Sequence, residues 1–118
     1  MMTTGIDLVE INRIRSLYST ALVERILSKK ERQFLDDIHN ENRKFTFLAG
    51  RFAAKEALFK ALKKGDKTLN FADITILNDE DGAPYFESFP TCEHYKSELS
   101  ISHTDLYAVA IVLLEIKE

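Results

Sequence analysis

The sequence predicts an α+β fold in a single domain that spans residues 1–118. Three observations predict this class: a strand-like segment near the start, helical spacing of apolar residues from 12 to 64, and two hairpin signals in the second half. A chain of 118 residues with 45% apolar content can build one modest core, and it lies below the size at which chains usually divide.

The first predicted element is a strand over residues 5–11. Its apolar residues alternate between two faces, with Ile6 and Leu8 on one and Val9 and Ile11 on the other. We therefore expect this strand to be buried on both sides. Asp7 shares the face of Val9.

Helices are predicted next. Residues 12–39 have the spacing of short helices, and Ser28 is an N-cap candidate because Glu31 follows three residues later. Residues 41–64 form the longest predicted helix, which Gly65-Asp66-Lys67 ends. This helix carries a stripe of large residues and a stripe of alanines: Phe47, Leu48, Phe52, Leu58, Phe59 and Leu62, then Ala53, Ala54, Ala57 and Ala61. We expect the large stripe to pack on a sheet. The alanines suit close approach of another backbone, from this chain or from a neighbouring subunit.

The last part of the chain predicts two hairpins joined by an irregular connection at 87–97. In the first hairpin, residues 71–77 turn through Asp81-Gly82 into residues 84–86. In the second, residues 98–102 pair with residues 107–115. The final strand is apolar on both faces, which is typical of a central strand.

Composition excludes several classes of protein. Cys92 is the only cysteine, so no internal disulfide forms, and three scattered histidines give no zinc spacing. The start lacks the pattern of an export signal, and no apolar run reaches the length of a membrane span. We expect a cytoplasmic protein with no membrane and no nucleic acid as partner.

Charge is divided along the chain despite the net value of −3. Residues 11–32 carry six basic and two acidic side chains, and residues 43–67 carry eight and two. Residues 70–118 carry ten acids and two lysines. The division suggests a basic surface for a polyanionic ligand or an acidic partner, or simply solvated helix faces rich in lysine.

Two carboxylates, Asp7 and Glu56, lie in apolar segments where burial disfavours charge. Asp7 has an alternative interpretation as a buried acid bonded to backbone amides. If both meet in space, they form a hard oxygen site of the kind that Mg²⁺ accepts together with substrate phosphates. The four glycines form no nucleotide-binding loop, so side chains would have to bind any phosphate.

Basic residues in the same helix leave alternatives open. Glu56 and Lys60 are four apart and suit an ordinary helical ion pair. Arg51 and Lys55 are also four apart and repel, so they either extend to solvent or hold an anion between them. His103 is either bonded to backbone in its hairpin or contacts an anion.

Three segments together resemble the bacterial holo-acyl-carrier-protein synthases, a family of 4′-phosphopantetheinyl transferases. They are Gly5-Ile6-Asp7, the run from Phe47 through Gly50, Arg51, Lys55 and Glu56 to Ala57 with Lys60 following, and Ser100-Ile101-Ser102-His103-Thr104. The resemblance implies a long helix packed on a small antiparallel sheet and a homotrimer with active sites between subunits. Such packing would account for the alanine stripe.

The resemblance also implies an activity. The phosphopantetheine group of coenzyme A would pass to a serine of apo acyl carrier protein in fatty acid biosynthesis, with release of 3′,5′-ADP. It assigns magnesium to Asp7 and Glu56, and it gives catalytic roles to Glu56 and Lys60. It assigns coenzyme A binding to Arg43, Arg51, Lys60, Pro84, His103 and Thr104, and carrier-protein binding to Arg13 and Arg25.

The chain departs from the family pattern at three places. Thr3 stands where a glycine is common, which affects only the entry to the strand. Lys63 and Lys64 replace the first two residues of a Gly-Thr-Gly segment, and Ala83 replaces a lysine before Pro84. Two other functions use the same residues: a non-catalytic α+β module that binds an acidic protein, and a metal-dependent phosphohydrolase.

Overall fold

A computed structural model describes residues 1–63 and 69–118. The long helix predicted over 41–64 ends at Leu62, and the segment 65–67 that was expected to end it lies outside the described residues. The elements follow in this order along the chain: β1 (Met2–Glu10), α1 (Ile11–Leu17), α2 (Thr20–Ile26), α3 (Lys29–Asp36), α4 (Glu41–Leu62), β2 (Thr75–Asn78), β3 (Pro84–Ser88), β4 (Tyr95–His103) and β5 (Tyr107–Ile116).

Side-chain caps explain where three of the helices begin. Ser19 accepts a hydrogen bond from the amide of Leu22 at the start of α2, and Asn40 does the same for Arg43 at the start of α4. At α3, Ser28 and Glu31 form a complete capping box, as the sequence predicted. The caps therefore divide the basic N-terminal half into short helices followed by one helix of 22 residues.

In the described part of the chain, two antiparallel sheets complete the α+β fold. The larger has the order β1-β5-β4, which confirms β5 as a central strand, and the smaller pairs β2 with β3. The predicted strand at 71–77 was too long, because a short 3₁₀ turn occupies Phe71–Asp73 before β2. The predicted irregular segment 87–97 was also wrong at its ends, since β3 continues to Ser88 and β4 begins at Tyr95.

The expectation that β1 is buried on both faces was wrong for the single chain. Its inner face packs against α4, whereas Ile6 and Leu8 on the outer face are 58% and 63% exposed. The outer face of β5 continues this apolar surface with Tyr107 and Ile111. No other element of the described chain covers these side chains. We call this surface, made of Ile6, Leu8, Tyr107 and Ile111, the outer sheet face.

The alanine stripe of α4 packs on the chain's own β1, so subunit packing is not needed to explain it. Gly5 lies so close to α4 that an added Cβ would overlap the carbonyl oxygen of Ala57 and come within 2.8 Å of the amide nitrogen of Ala61. The hydroxyl of Thr3 donates to the carbonyl oxygen of Ala61 at 2.6 Å. Part of the large stripe packs on other elements rather than on a sheet, because Phe52 and Phe59 contact Phe71.

Gly5→Ala should lower the free energy of unfolding by about 3 kcal/mol, since the added methyl group meets rigid helix backbone. Chemical denaturation measures the difference. Gly82→Ala is the matched control: its added Cβ meets no atom within 4 Å, and only the φ of +84° opposes it, at a cost of about 1 kcal/mol. Equal losses in the two variants would contradict the close approach of β1 to α4.

Candidate active site

The two predicted carboxylates meet across the contact between β1 and α4. Asp7 projects from the inner face of β1 beside Val9, as predicted, and Glu56 lies in the middle of α4. Both are only partly buried: the side chain of Asp7 is 18% exposed. The two acids are thus removed from water in part, and both side chains open onto a cavity.

This carboxylate cavity has a volume of about 700 Å³ and is lined by Asp7 and Glu56 together with Arg13 of α1 and Arg25 of α2. Apolar side chains of the short helices, among them Leu17 and Leu22, form part of its wall. A second cavity of about 500 Å³ shares Arg25 and Glu56 with it and continues toward residues 69–73. The structure thus joins the predicted metal residues and the predicted carrier-binding arginines in one groove.

Electrostatics within the carboxylate cavity favour a cation. Burial raises the pKa of the Glu56 carboxyl, and the nearby Asp7 carboxylate raises it further, whereas the Lys60 ammonium lowers it. Lys60 Nζ donates to Asp7 Oδ1 at 3.2 Å and to the carbonyl oxygen of Ile6 at 2.9 Å. One exposed ammonium therefore faces two acids, and the repulsion between the acids is only partly relieved.

The carboxylate donors fit a magnesium ion that shares a phosphate ligand. Within residues 1–63 and 69–118, no group of three or more His, Cys, Asp or Glu side chains is placed to hold a metal. Asp7 and Glu56 therefore supply two carboxylates at most. Mg²⁺ commonly binds to one or two protein carboxylates and completes its shell with water and substrate phosphates.

Four of the six residues predicted to bind coenzyme A line a different cavity, and Lys60 and Thr104 do not line it. This arginine cavity, of about 530 Å³, is lined by Arg43, Arg51, Pro84 and His103. Thr104 follows His103 and accepts hydrogen bonds from the amides of Leu106 and Tyr107, so its hydroxyl shapes the turn between β4 and β5. Among the residues that the structure describes, none lines both cavities.

Helix geometry explains why the cavities are separate. Arg51 and Glu56 are five residues apart on α4, which at 100° per residue places them about 140° apart around the helix axis. Glu56 faces β1, α1 and α2, whereas Arg51 faces β2 and the aromatic ring of Phe47, with its Cζ 4.6 Å from the ring centroid. A single copy of the chain therefore presents two half-sites on different sides of one helix.

Arg51 and Lys55 hold an anion between them, and that anion is the protein's own Glu31. Lys55 is fully buried rather than extended to solvent, and its Nζ donates to Glu31 Oε1 at 2.6 Å. Arg51 Nε lies 3.9 Å from Glu31 Oε2. Burial lowers the pKa of Arg51 to about 10, with Glu31 opposing the shift, so the guanidinium stays charged at neutral pH.

Sequence reasoning missed two residues of this region. Glu31 was expected only to cap α3, although two buried cations in an apolar helix do require a carboxylate partner. Asn78 lines the arginine cavity, and its Oδ1 accepts a hydrogen bond from Arg51 Nη2 at 3.2 Å. No spacing in the sequence indicates that β2 passes beside Arg51, so nothing in the sequence identified Asn78 as part of the site.

Comparisons with known proteins agree with the fold. A family model described as the 4′-phosphopantetheinyl transferase superfamily matches residues 3–112. The holo-[acyl-carrier-protein] synthase of Acholeplasma laidlawii is 50% identical over 113 residues, which cover 96% of this chain and 95% of that protein. The synthase of Staphylococcus saprophyticus is 50% identical over 115 residues, covering 95% and 96%.

Solved structures of holo-[acyl-carrier-protein] synthases share the fold of this chain. A holo-(acyl-carrier-protein) synthase from Bacillus anthracis in complex with CoA (3′,5′-ADP) superposes with a TM-score of 0.88 at 40% identity, covering 99% of this chain and all of the other. The Helicobacter pylori synthase in complex with coenzyme A gives 0.79 at 34% identity, covering 95% and 99%. The chain therefore belongs to the 4′-phosphopantetheinyl transferase superfamily and groups with its holo-[acyl-carrier-protein] synthases.

Proposed function

We propose that this protein transfers the 4′-phosphopantetheine group from coenzyme A to a serine of apo acyl carrier protein and releases 3′,5′-ADP. The observation that carries the proposal is the meeting of Asp7 and Glu56 at one cavity that two arginines, Arg13 and Arg25, also line. Lys60 lies beside this cavity and donates a hydrogen bond to Asp7. Similarity to synthases solved with coenzyme A supports the substrate. We place the reaction in fatty acid biosynthesis in the cytoplasm and assign it to one domain, residues 1–118.

The reaction exchanges one phosphorus–oxygen bond for another. The serine oxygen attacks the phosphorus next to the pantetheine arm, the bond from that phosphorus to the adenosine bisphosphate breaks, and 3′,5′-ADP leaves with the bridging oxygen. Glu56 is our candidate to accept the serine proton, because a carboxyl whose pKa is raised is a better base near neutral pH. Lys60 would neutralise charge on the diphosphate.

Asp7 and Glu56 would also hold a magnesium ion. When bound, the ion supplies positive charge against the diphosphate, which is the main electrostatic demand of phosphoryl transfer. The remaining roles belong to the protein: Arg43, Arg51, Pro84, His103 and Thr104 bind the nucleotide, and Arg13 and Arg25 orient the carrier.

Mass spectrometry of apo acyl carrier protein after incubation with enzyme, coenzyme A and magnesium tests the proposed function. A mass increase of one phosphopantetheine group supports it. Cleavage of coenzyme A without a change in the carrier would indicate a phosphohydrolase, and no change in either molecule would indicate a binding module. In the same assay Glu56→Gln should reduce turnover about 1,000-fold, because it removes a charge and a base from the site. Glu93→Gln, an exposed control, should keep full activity.

Arg25→Glu should raise the KM for carrier protein about tenfold at low salt, and less at high salt, because ionic screening weakens attraction between exposed charges. Arg25 is exposed at the rim of the carboxylate cavity, so the fold should tolerate the change. Lys117→Glu makes the same charge change at the far end of β5 and should leave KM unaltered. An equal rise of KM in both variants would show that the effect follows the net charge of the protein, and it would exclude Arg25 from the docking surface for the carrier.

We propose further that the active protein is a homotrimer with each site formed between two copies. The outer sheet face supports this, because exposed Ile6, Leu8, Tyr107 and Ile111 form a contiguous apolar surface across paired strands. The separation of the two cavities supports it independently. A coenzyme A molecule whose diphosphate lies at Asp7 and Glu56 would place its nucleotide in the arginine cavity of a neighbouring copy.

Mixing two inactive variants tests the shared site. Glu56→Gln and Arg51→Ala each damage a different half-site, so each alone should be inactive. Co-expressed in equal amounts, they should regain about a quarter of wild-type activity, because random assembly into a ring pairs one intact half-site of each kind at that frequency. An inactive mixture of assembled trimers would show that each copy forms its own site.

A further inference from the structure

The three buried charges of Glu31, Lys55 and Arg51 do not cancel. Two are cations and one is an anion, so the cluster carries a net charge of +1 inside the protein. Its side chains are almost completely buried: Lys55 and Glu31 are 0% exposed and Arg51 is 8% exposed. An unbalanced buried charge is costly unless a further partner neutralises it.

The excess charge resides on Arg51 rather than on Lys55. Lys55 Nζ uses all three of its protons, since it donates to Glu31 Oε1, to the carbonyl oxygen of Ile26 at 2.6 Å and to that of Phe71 at 2.9 Å. Within residues 1–63 and 69–118, Arg51 is hydrogen-bonded only through Nη2, at the long distances of 3.2 Å to Asn78 and 3.5 Å to Ile76. Its buried Nε has no hydrogen-bond partner in the described part of the chain.

The carboxylate of Glu31 is held away from Arg51 by its other partners. Oε1 accepts from the amide of Ser28 at 2.8 Å as well as from Lys55. Oε2 accepts from the amide of Ile76 at 3.1 Å. These bonds come from three separate elements and fix the orientation of the carboxylate, which leaves Arg51 Nε at 3.9 Å, beyond hydrogen-bond distance.

We propose that Lys55 and Glu31 are positioning residues for the anion site: Lys55 holds the Glu31 carboxylate, so that Arg51 keeps the positive charge with which it binds a phosphate in the arginine cavity. This inference rests on the proposed function, in which Arg51 binds the nucleotide. Neither residue lines the arginine cavity, so both act only through Arg51. Anion affinity should then follow the net charge of the cluster.

Two substitutions separate this role from a merely structural one. Lys55→Met leaves Arg51 as the only cation beside Glu31, so the cluster becomes neutral. Calorimetric titration with 3′,5′-ADP in the absence of metal should show at least a tenfold loss of affinity, as expected for the removal of one nearby charge. The double variant Glu31→Gln with Lys55→Met restores the net charge of +1, and its affinity should return to within about threefold of wild type.

A lost ion pair that served only structure would instead weaken the double variant at least as much as the single one. Three results would overturn the inference: such weakening of the double variant, unchanged affinity in Lys55→Met, and failure of both variants to fold. If Lys55→Met alone fails to fold, the double variant decides: affinity near wild type supports the proposal, and a tenfold loss contradicts it. Wild-type protein that does not bind 3′,5′-ADP would contradict the proposed function itself, before either variant is compared.

Discussion

The buried carboxylate of Glu31 links α3, α4 and β2, because its two oxygens accept hydrogen bonds from Ser28, Lys55 and Ile76. Removal of one partner from such a buried pair typically costs about 3–5 kcal/mol, since the remaining charge is left without compensation. The same contacts determine where β2 passes beside Arg51, and therefore where the arginine cavity forms. The stability of the fold and the geometry of the arginine cavity thus depend on Glu31, which does not itself line that cavity.

The second constraint is the contact of β1 with α4 at Gly5. Without a side chain there, the strand approaches the helix backbone closely enough for Thr3 to donate to Ala61. This approach brings Asp7 near Glu56 although the two are far apart in sequence. Burial raises the pKa of the Glu56 carboxyl and Asp7 raises it further, and this pair of acids is tolerated because Lys60 and the open cavity reduce the cost of their charge.

Local signals in the sequence predicted the helices and strands well, but they said less about which elements pack against each other. The capping box of Ser28, the long helix and the Asp81-Gly82 turn were correct because each depends on residues within a few positions. Asp7 and Glu56 were singled out because charge in an apolar segment is visible in the sequence. The alanine stripe of α4 does meet another backbone, as predicted, whereas Phe52 and Phe59 of the large stripe pack on Phe71 rather than on a sheet. Helical period shows that two stripes exist but not which element covers each. Glu31 both caps α3 and pairs with Lys55, and only the cap is visible as a pattern in the sequence.

The charges beside the acid pair and beside Arg51 are unbalanced in opposite senses, and this explains why one ligand suits both half-sites. Asp7 and Glu56 face a single nearby ammonium, that of Lys60, and two arginines lie elsewhere on the wall of the cavity. The arginine cavity borders a cluster with one cation in excess. A polyanion with a bound divalent cation would correct both, with the cation at the acids and a terminal phosphate at Arg51. A ligand confined to one half-site would leave the other unbalanced. Because α4 separates the cavities within each copy, such a ligand gains both interactions only where two copies meet, so assembly and substrate binding should stabilise each other.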